Sequence, residues 1–290
     1  MALHERLTAV LRQAEPDHEL IFVDDRSRDS AWRTLTELSG RNPRVVAVRL
    51  SRNFGQHAAI TAGLQQCRGE HAVVMDCDLQ DPPEDIPRLI AEMRNGADVV
   101  YARRTEKKQG LARRIAAKVF FWFLNQFGES PLQDNYGTFS IISRKVIDAF
   151  LQLNDSNRQY ILILKWLGFA SSEIEYVHGQ RHAGSSAYTF RQLFSQAFVG
   201  VLFQTTALLR WIVYLGFGVA AAGMLLAAYF VFLHYFRDPP PGLTSLAVLI
   251  LLVGGFIIIS TGIAGLYIGK IFEQVKGRPL YVVDEVKSRP

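Results

Sequence analysis

Cysteine is nearly absent from this chain of 290 residues: only Cys67 and Cys77 occur. No zinc-type Cys/His spacing is present, and both thiols are expected to be free in a cytosolic domain. The G-x-x-x-x-G-K-[ST] phosphate loop and the G-x-G-x-x-G dinucleotide fingerprint are also missing. No ladder of alternating aromatic and basic residues is found, so no nucleic acid is expected as a partner. The formal net charge of +5 suits a membrane surface. No secretory signal peptide is read at the start. Finally, charge is missing from two long runs, Trp211 to Leu233 and Leu243 to Gly269.

Each of these runs exceeds the roughly 20 residues a helix needs to cross a bilayer. They are too long and too uninterrupted for a buried soluble hairpin. Only His234 to Gly242 separates them, so they read as a transmembrane hairpin with both flanks on one side. Arg191 and Arg210 precede it, and Lys270, Lys276, Arg278, Lys287 and Arg289 follow. The positive-inside rule puts both flanks in the cytoplasm. Before the hairpin, Phe190, Leu193, Phe194, Ala197, Phe198, Val201 and Leu202 recur at helical spacing. An interfacial amphipathic helix over 189–210 is expected. The glycines at 216, 218, 223, 262, 265 and 269 would let helices approach closely, within the hairpin or between protomers.

The remainder alternates apolar runs with helix-like segments, which predicts βαβ units and a parallel sheet. Leu20 to Val23 ends in Asp24-Asp25, and Ala72 to Met75 ends in Asp76-Cys77-Asp78. In open α/β sheets the ligand binds beyond the carboxyl ends of the strands. Residues i and i+2 of an extended strand end point the same way, so Asp76 and Asp78 can converge on one hard cation. Mg²⁺ or Mn²⁺ would take a few carboxylate oxygens there and share the rest of its shell with substrate phosphates. Cys77 is expected to turn back into the sheet.

Val23-Asp24-Asp25-Arg26-Ser27-Arg28-Asp29, Asn53-Phe54-Gly55 and Asp76-Cys77-Asp78-Leu79-Gln80-Asp81-Pro82-Pro83-Glu84 resemble the family 2 glycosyltransferases. With the membrane tail, the resemblance is closest to the polyprenyl-phosphate glycosyltransferases of the GtrB and dolichol-phosphate mannose synthase type. It runs from about Glu19 to the C-terminus. It implies an α/β GT-A domain at 1–188 with a mostly parallel, nucleotide-sugar-binding sheet. The amphipathic helix, two spans at 211–233 and 243–269 and a cytosolic tail at 270–290 would follow. The implied activity is inverting, metal-dependent hexosyl transfer from a nucleotide sugar, UDP-linked by resemblance, to undecaprenyl phosphate. Its setting would be the cytoplasmic membrane and its pathway the cell-envelope polysaccharides. Homo-oligomers are also implied.

In this reading Asp76 and Asp78 hold the metal, and Asp78 is the principal ligand. Asp24 and Asp25 seat the nucleotide, with Asn53, Arg103 and Arg181 on the donor side. Arg103 could instead be solvated, and Arg104 is read as a surface residue. Asp134 matches the candidate base, against a turn-capping role. A lipid monophosphate is largely dianionic at neutral pH and needs little activation. Arg181-His182-Ala183-Gly184-Ser185-Ser186-Ala187-Tyr188 resembles a segment that carries Lys where this chain has Ala187.

One departure is larger. Relatives begin with a strand and a Pro-x-Tyr-Asn-Glu segment, whereas Leu3, Leu7, Val10 and Leu11 already share one helical face here. A first strand is expected to be missing, through a misassigned start, a shortened chain, or another segment in its place. A catalytically impaired membrane protein acting as a binding or partner subunit is therefore the alternative. A processive synthase is disfavoured, because Gln204 and Arg210-Trp211 lack the Gln-x-x-Arg-Trp spacing.

Overall fold

The computed structural model describes residues 1–105, 136–153, 155, 158–177, 207–236 and 243–288. Asp134, Arg181 and the expected interfacial helix up to residue 206 lie outside them. Two compact units divide the chain. One comprises Met1–Phe121, Leu132–Ala187 and Arg278–Pro290, the other Trp122–Pro131 and Tyr188–Gly277.

The first unit opens on helix α1 (Ala2–Ala14), whose buried Leu7 and Leu11 stand one turn apart. Strand β1 (Leu20–Asp24), helix α2 (Ala31–Arg41), strand β2 (Val45–Leu50), helix α3 (Gln56–Gln66) and strand β3 (His71–Val74) follow. After a 3₁₀ turn at Pro83–Asp85 come α4 (Ile86–Arg94), β4 (Val99–Arg104), β5 (Tyr136–Ser143), α5 (Arg144–Gln152), α6 (Tyr160–Leu167) and β6 (Ser171–Tyr176). The last strand, β7 (Val283–Lys287), comes from the C-terminal tail.

The expected mostly parallel sheet is instead mixed and divided. One sheet has the order β1-β2-β7, the other β3-β5-β4-β6. Among the described residues, β1–β2 and β4–β6 run parallel, and β2–β7, β3–β5 and β4–β5 are antiparallel. The βαβ pattern in the sequence reports only strands separated by helices. It is blind to β5, which enters antiparallel between β3 and β4, and to β7.

Helices cover both faces. On one, Leu7, Leu11, Leu38, Leu89 and Met93 pack with Leu20, Val45, Val100 and Ile141. On the other, Val146, Ile147 and Phe150 of α5 and Ile163 and Leu164 of α6 close a second cluster against Val99 and Ile142. Strands β1 and β3 are not bonded to each other. Between them lies a cavity of about 1390 Å³, walled by β1, β3, α1 and α3 and ending at Met75 to Asp78.

Strand β7 covers the outer edge of β2, and Tyr281 and Val283 pack beside the buried Val48 and Leu50. Deleting residues 281–290 would expose that edge and remove about 2 kcal/mol of apolar burial. Thermal unfolding of the solubilised protein is expected to shift down by roughly 5 °C, with aggregation.

The second unit contains α7 (Ala207–Phe236) and α8 (Leu243–Val275). The stretch Val253–Val275, of mean hydropathy 1.7, is long and apolar enough to cross a membrane. Ile212–Leu226 is a shorter apolar stretch. Phe217, Leu225 and Ile258 are each more than 70% exposed (72%, 73% and 74%), a surface unsuited to water. A Cβ on Gly216 would lie 3.5 Å from the ring of Phe256, so glycine permits α7 and α8 to meet there.

Candidate active site

The acidic residues lie where β1 and β3 end, and their carboxylates are already bonded. Asp24 is 3% exposed. Its Oδ1 accepts the Ser27 N–H at 3.0 Å, and its Oδ2 stands 3.5 Å from Arg49 Nε on β2. The Arg49 guanidinium lies 5.3 Å above the Trp32 ring. Asp24 therefore fixes the turn that follows β1.

Asp25 reaches across to the next loop. Its two oxygens accept the N–H groups of Phe54 and Gly55, both at 2.7 Å. Bonds to a charged acceptor are the stronger kind. Gly55 has φ +96°, the left-handed region that favours glycine, and opens α3. Asn53 is exposed on this loop. The first residue of α3, Gln56, donates its amide to Asp76 Oδ1 at 2.6 Å. Thr138 on β5 donates to the same oxygen at 3.0 Å. Asp25, the 53–55 loop, Gln56, Asp76 and Thr138 thus form one connected chain across four elements. Gln56 and Thr138 escaped the sequence reading because neutral polar groups have no charge signature. The one available signal was the position of Gln56 directly after Asn53-Phe54-Gly55.

Strand β3 stops at Val74, so Asp76 to Asp78 lie in the turn beyond it. The i, i+2 alternation expected of an extended strand end does not carry that far, and Cys77 is exposed rather than turned into the sheet. Leu79 has φ +62°, uncommon for a branched residue, and turns the chain sharply between Asp78 and Asp81. Asp78 Oδ1 accepts the Gln80 N–H at 3.1 Å. Burial pushes the Asp76 carboxyl above its usual range. Repulsion from Asp81 and Asp78 adds to this, while Thr138 and Arg104 oppose it. Three carboxylates therefore crowd one turn.

The arginines sort differently from expectation. Arg103 pairs with Glu173 and Glu175 on the exposed side of β6. Arg104, read from sequence as solvated, is half-buried: its Nε donates to the Tyr176 hydroxyl at 3.1 Å, and its charge is felt at Asp76. Neighbouring residues on a strand face opposite ways, which separates the two. Tyr176 in turn donates to the fully buried Asp81 at 2.6 Å. A side chain on Gly137 would strike Arg104, since a Cβ there would be 2.7 Å from Nη2. The tail also reaches the site: Asp284 on β7 pairs with Arg26, next to Asp25, at 2.6 Å.

The site is thus an acidic turn beyond the strand ends of an α/β domain, the place where α/β sheets bind their ligands. Residues 2–151 match the family described as "Glycosyl transferase family 2". The chain is 34% identical over 284 residues to the "Uncharacterized glycosyltransferase YkcC" of Bacillus subtilis, covering 97% of this chain and 88% of that one. It is 35% identical over 267 residues to the "SfII prophage-derived bactoprenol glucosyl transferase" of Shigella flexneri (91% and 86%). It is 33% identical over 272 residues to the "Prophage bactoprenol glucosyl transferase homolog" of Escherichia coli K12 (93% and 89%). The chain belongs to glycosyl transferase family 2 and is a glycosyltransferase.

Proposed function

We propose that this enzyme transfers one hexose from a nucleotide sugar to a polyprenyl phosphate at the cytoplasmic face of a membrane. The observation that carries the reading is the pairing of the acidic turn at Asp76 to Asp81 with long apolar helices in one chain. It agrees with relatives named for bactoprenol glucosyl transfer. The two helices read as a hairpin with both flanks in the cytoplasm.

A divalent ion suits the residues present. Asp78 and Asp81 both oppose a charge on Asp76, an opposition a cation would offset. Both side-chain bonds to Asp76 fall on Oδ1. Among the described residues no three His, Cys, Asp or Glu side chains are grouped to hold a metal ion by themselves. Mg²⁺ and Mn²⁺ commonly take one or two carboxylates and complete their shell with water and substrate phosphates. Asp76 and Asp78 would hold the ion, which when bound supplies Lewis-acid stabilisation of the leaving diphosphate.

The chain's own groups do the rest. Asp25 and Gln56 hold the loop and the Asp76 carboxylate in fixed orientation, so little reorganisation accompanies reaction. Arg104 lies on the acidic side of β4 and is the better placed of the two arginines to meet donor phosphate. Asp24 and Asp25 seat the nucleotide indirectly, by fixing the turns around it, with Asn53 exposed beside them. Asp134 would orient the acceptor phosphate or take its remaining proton, and Arg181 would pair with donor phosphate. The lipid phosphate attacks the anomeric carbon from the face opposite the diphosphate, giving inversion.

The test is nucleoside diphosphate release from a panel of UDP-sugars, with UDP-glucose first, in detergent with Mn²⁺. Release is expected only when undecaprenyl phosphate is present. It should stop with chelator and return with Mg²⁺ or Mn²⁺. Release that is independent of lipid would refute the acceptor.

A further inference from the structure

The turn after β1 carries strain that its own residues do not explain. Arg26 has φ +58°, and among the described residues only it and Leu79 of the acidic turn are non-glycine residues with positive φ. In that region the Cβ of an L-residue crowds the following carbonyl oxygen, so glycine is the usual occupant. Such strain persists only where the surroundings enforce it, and it gathers at ligand clamps and active sites. The two residues before Arg26 are held from close by, Asp24 by the Ser27 N–H and Asp25 by the 54–55 loop. Arg26 is held from 258 residues away, where its Nη1 donates to Asp284 Oδ2 at 2.6 Å.

Asp284 is aimed there by an irregularity in the pairing of β7. Along the antiparallel pair with β2, Glu285 stands opposite Arg49 and Val283 opposite Leu50. Asp284 is therefore one residue more than β2 can match, a bulge on the tail strand. Bulges re-aim a side chain and are over-represented next to active sites. The side chains of Arg26 and Asp284 are 43% and 40% exposed. An ion pair this open to water contributes little to folding stability. It can still choose between two conformations of a turn, because it acts directly on the strained residue. The tail also holds α3: the Tyr281 hydroxyl bonds Gln65 near the end of the helix that Gln56 begins.

We propose that Asp284 is a positioning residue of the donor site. Through Arg26 it holds the turn after β1 in its strained form, the form in which Asp24 and Asp25 seat the nucleotide. The tail strand is then part of the donor site, acting through Arg26. The role rests on the reading of the β1 turn as the nucleotide seat. Without Asp284 the turn relaxes and donor binding weakens, while the chemical step at Asp76 and Asp78 keeps its rate.

The experiment measures transfer from UDP-glucose to undecaprenyl phosphate by the full chain in detergent, well below the melting temperature of every variant. Asp284→Ala is expected to raise the donor KM by about fivefold and to leave kcat within about twofold. Glycine adopts positive φ unaided, so in an Arg26→Gly background Asp284→Ala should raise the KM no further. An equal rise in both backgrounds would mean that Asp284 only docks β7, and would overturn the role. No rise with Arg26 in place, while Asp25→Ala does raise the KM, would overturn the role and leave the nucleotide seat standing. An unchanged KM in Asp25→Ala as well would overturn the seat, and the role with it.

Discussion

Asp78→Asn is expected to lower sugar transfer by roughly hundredfold or more while the protein stays folded. Asparagine keeps the oxygen that accepts the Gln80 N–H, so the turn at Leu79 survives. What it loses is the negative charge that a hard cation needs. Lewis-acid stabilisation of a leaving diphosphate contributes several kcal/mol, and each 1.36 kcal/mol is a factor of ten in rate. Initial rates over a Mn²⁺ series would show the apparent metal requirement rising and the plateau falling. Unchanged rates at every Mn²⁺ concentration would remove Asp78 from the metal site.

Asp25→Ala is expected to act through the fold first and the chemistry second. Two N–H groups, on Phe54 and Gly55, would lose a charged acceptor at 2.7 Å each. Bonds to charged groups contribute about 1.5–3 kcal/mol apiece, so a loss of about 3 kcal/mol is a restrained figure. For a domain of this size that lowers the melting temperature by roughly 6–12 °C. The freed loop carries Gln56, so Asp76 loses a donor that fixes its orientation. Transfer should therefore fall even well below the new melting temperature. Gln56→Ala separates the two effects, because it releases Asp76 and leaves the Asp25 contacts in place. A stability loss in Asp25→Ala without any loss of transfer would break the link between this loop and the site.

Legibility followed the kind of signal each element carries. β1 and β2 could be read because Leu20–Val23 and Val45–Val48 are short apolar runs with turns after them. The acidic ends could be read because two carboxylates after a buried run are costly without a function or a partner. β7 could not: Val-Asp-Glu-Val-Lys has two apolar residues among three charges and becomes a strand only by pairing with β2. β5 was hidden for another reason. Its strand order depends on which edges are open, and sequence periodicity does not report that. The two arginines show the limit at residue scale. Arg103 and Arg104 differ only in which pleat face they take, and an irregularity between Tyr101 and Arg103 offsets the count. The expectation of a missing first strand rested on resemblance and on the helical spacing of Leu3, Leu7, Val10 and Leu11.

The central claim is that one sugar is placed on a polyprenyl phosphate, and the lipid product tests it most directly. The purified enzyme would be incubated with undecaprenyl phosphate, Mn²⁺ and UDP-glucose, and the extracted lipid weighed by mass spectrometry beside the Asp78→Asn variant. The account predicts a lipid heavier by a single hexose, absent from the variant. A lipid carrying a chain of sugars, or an equal adduct from the variant, would contradict it.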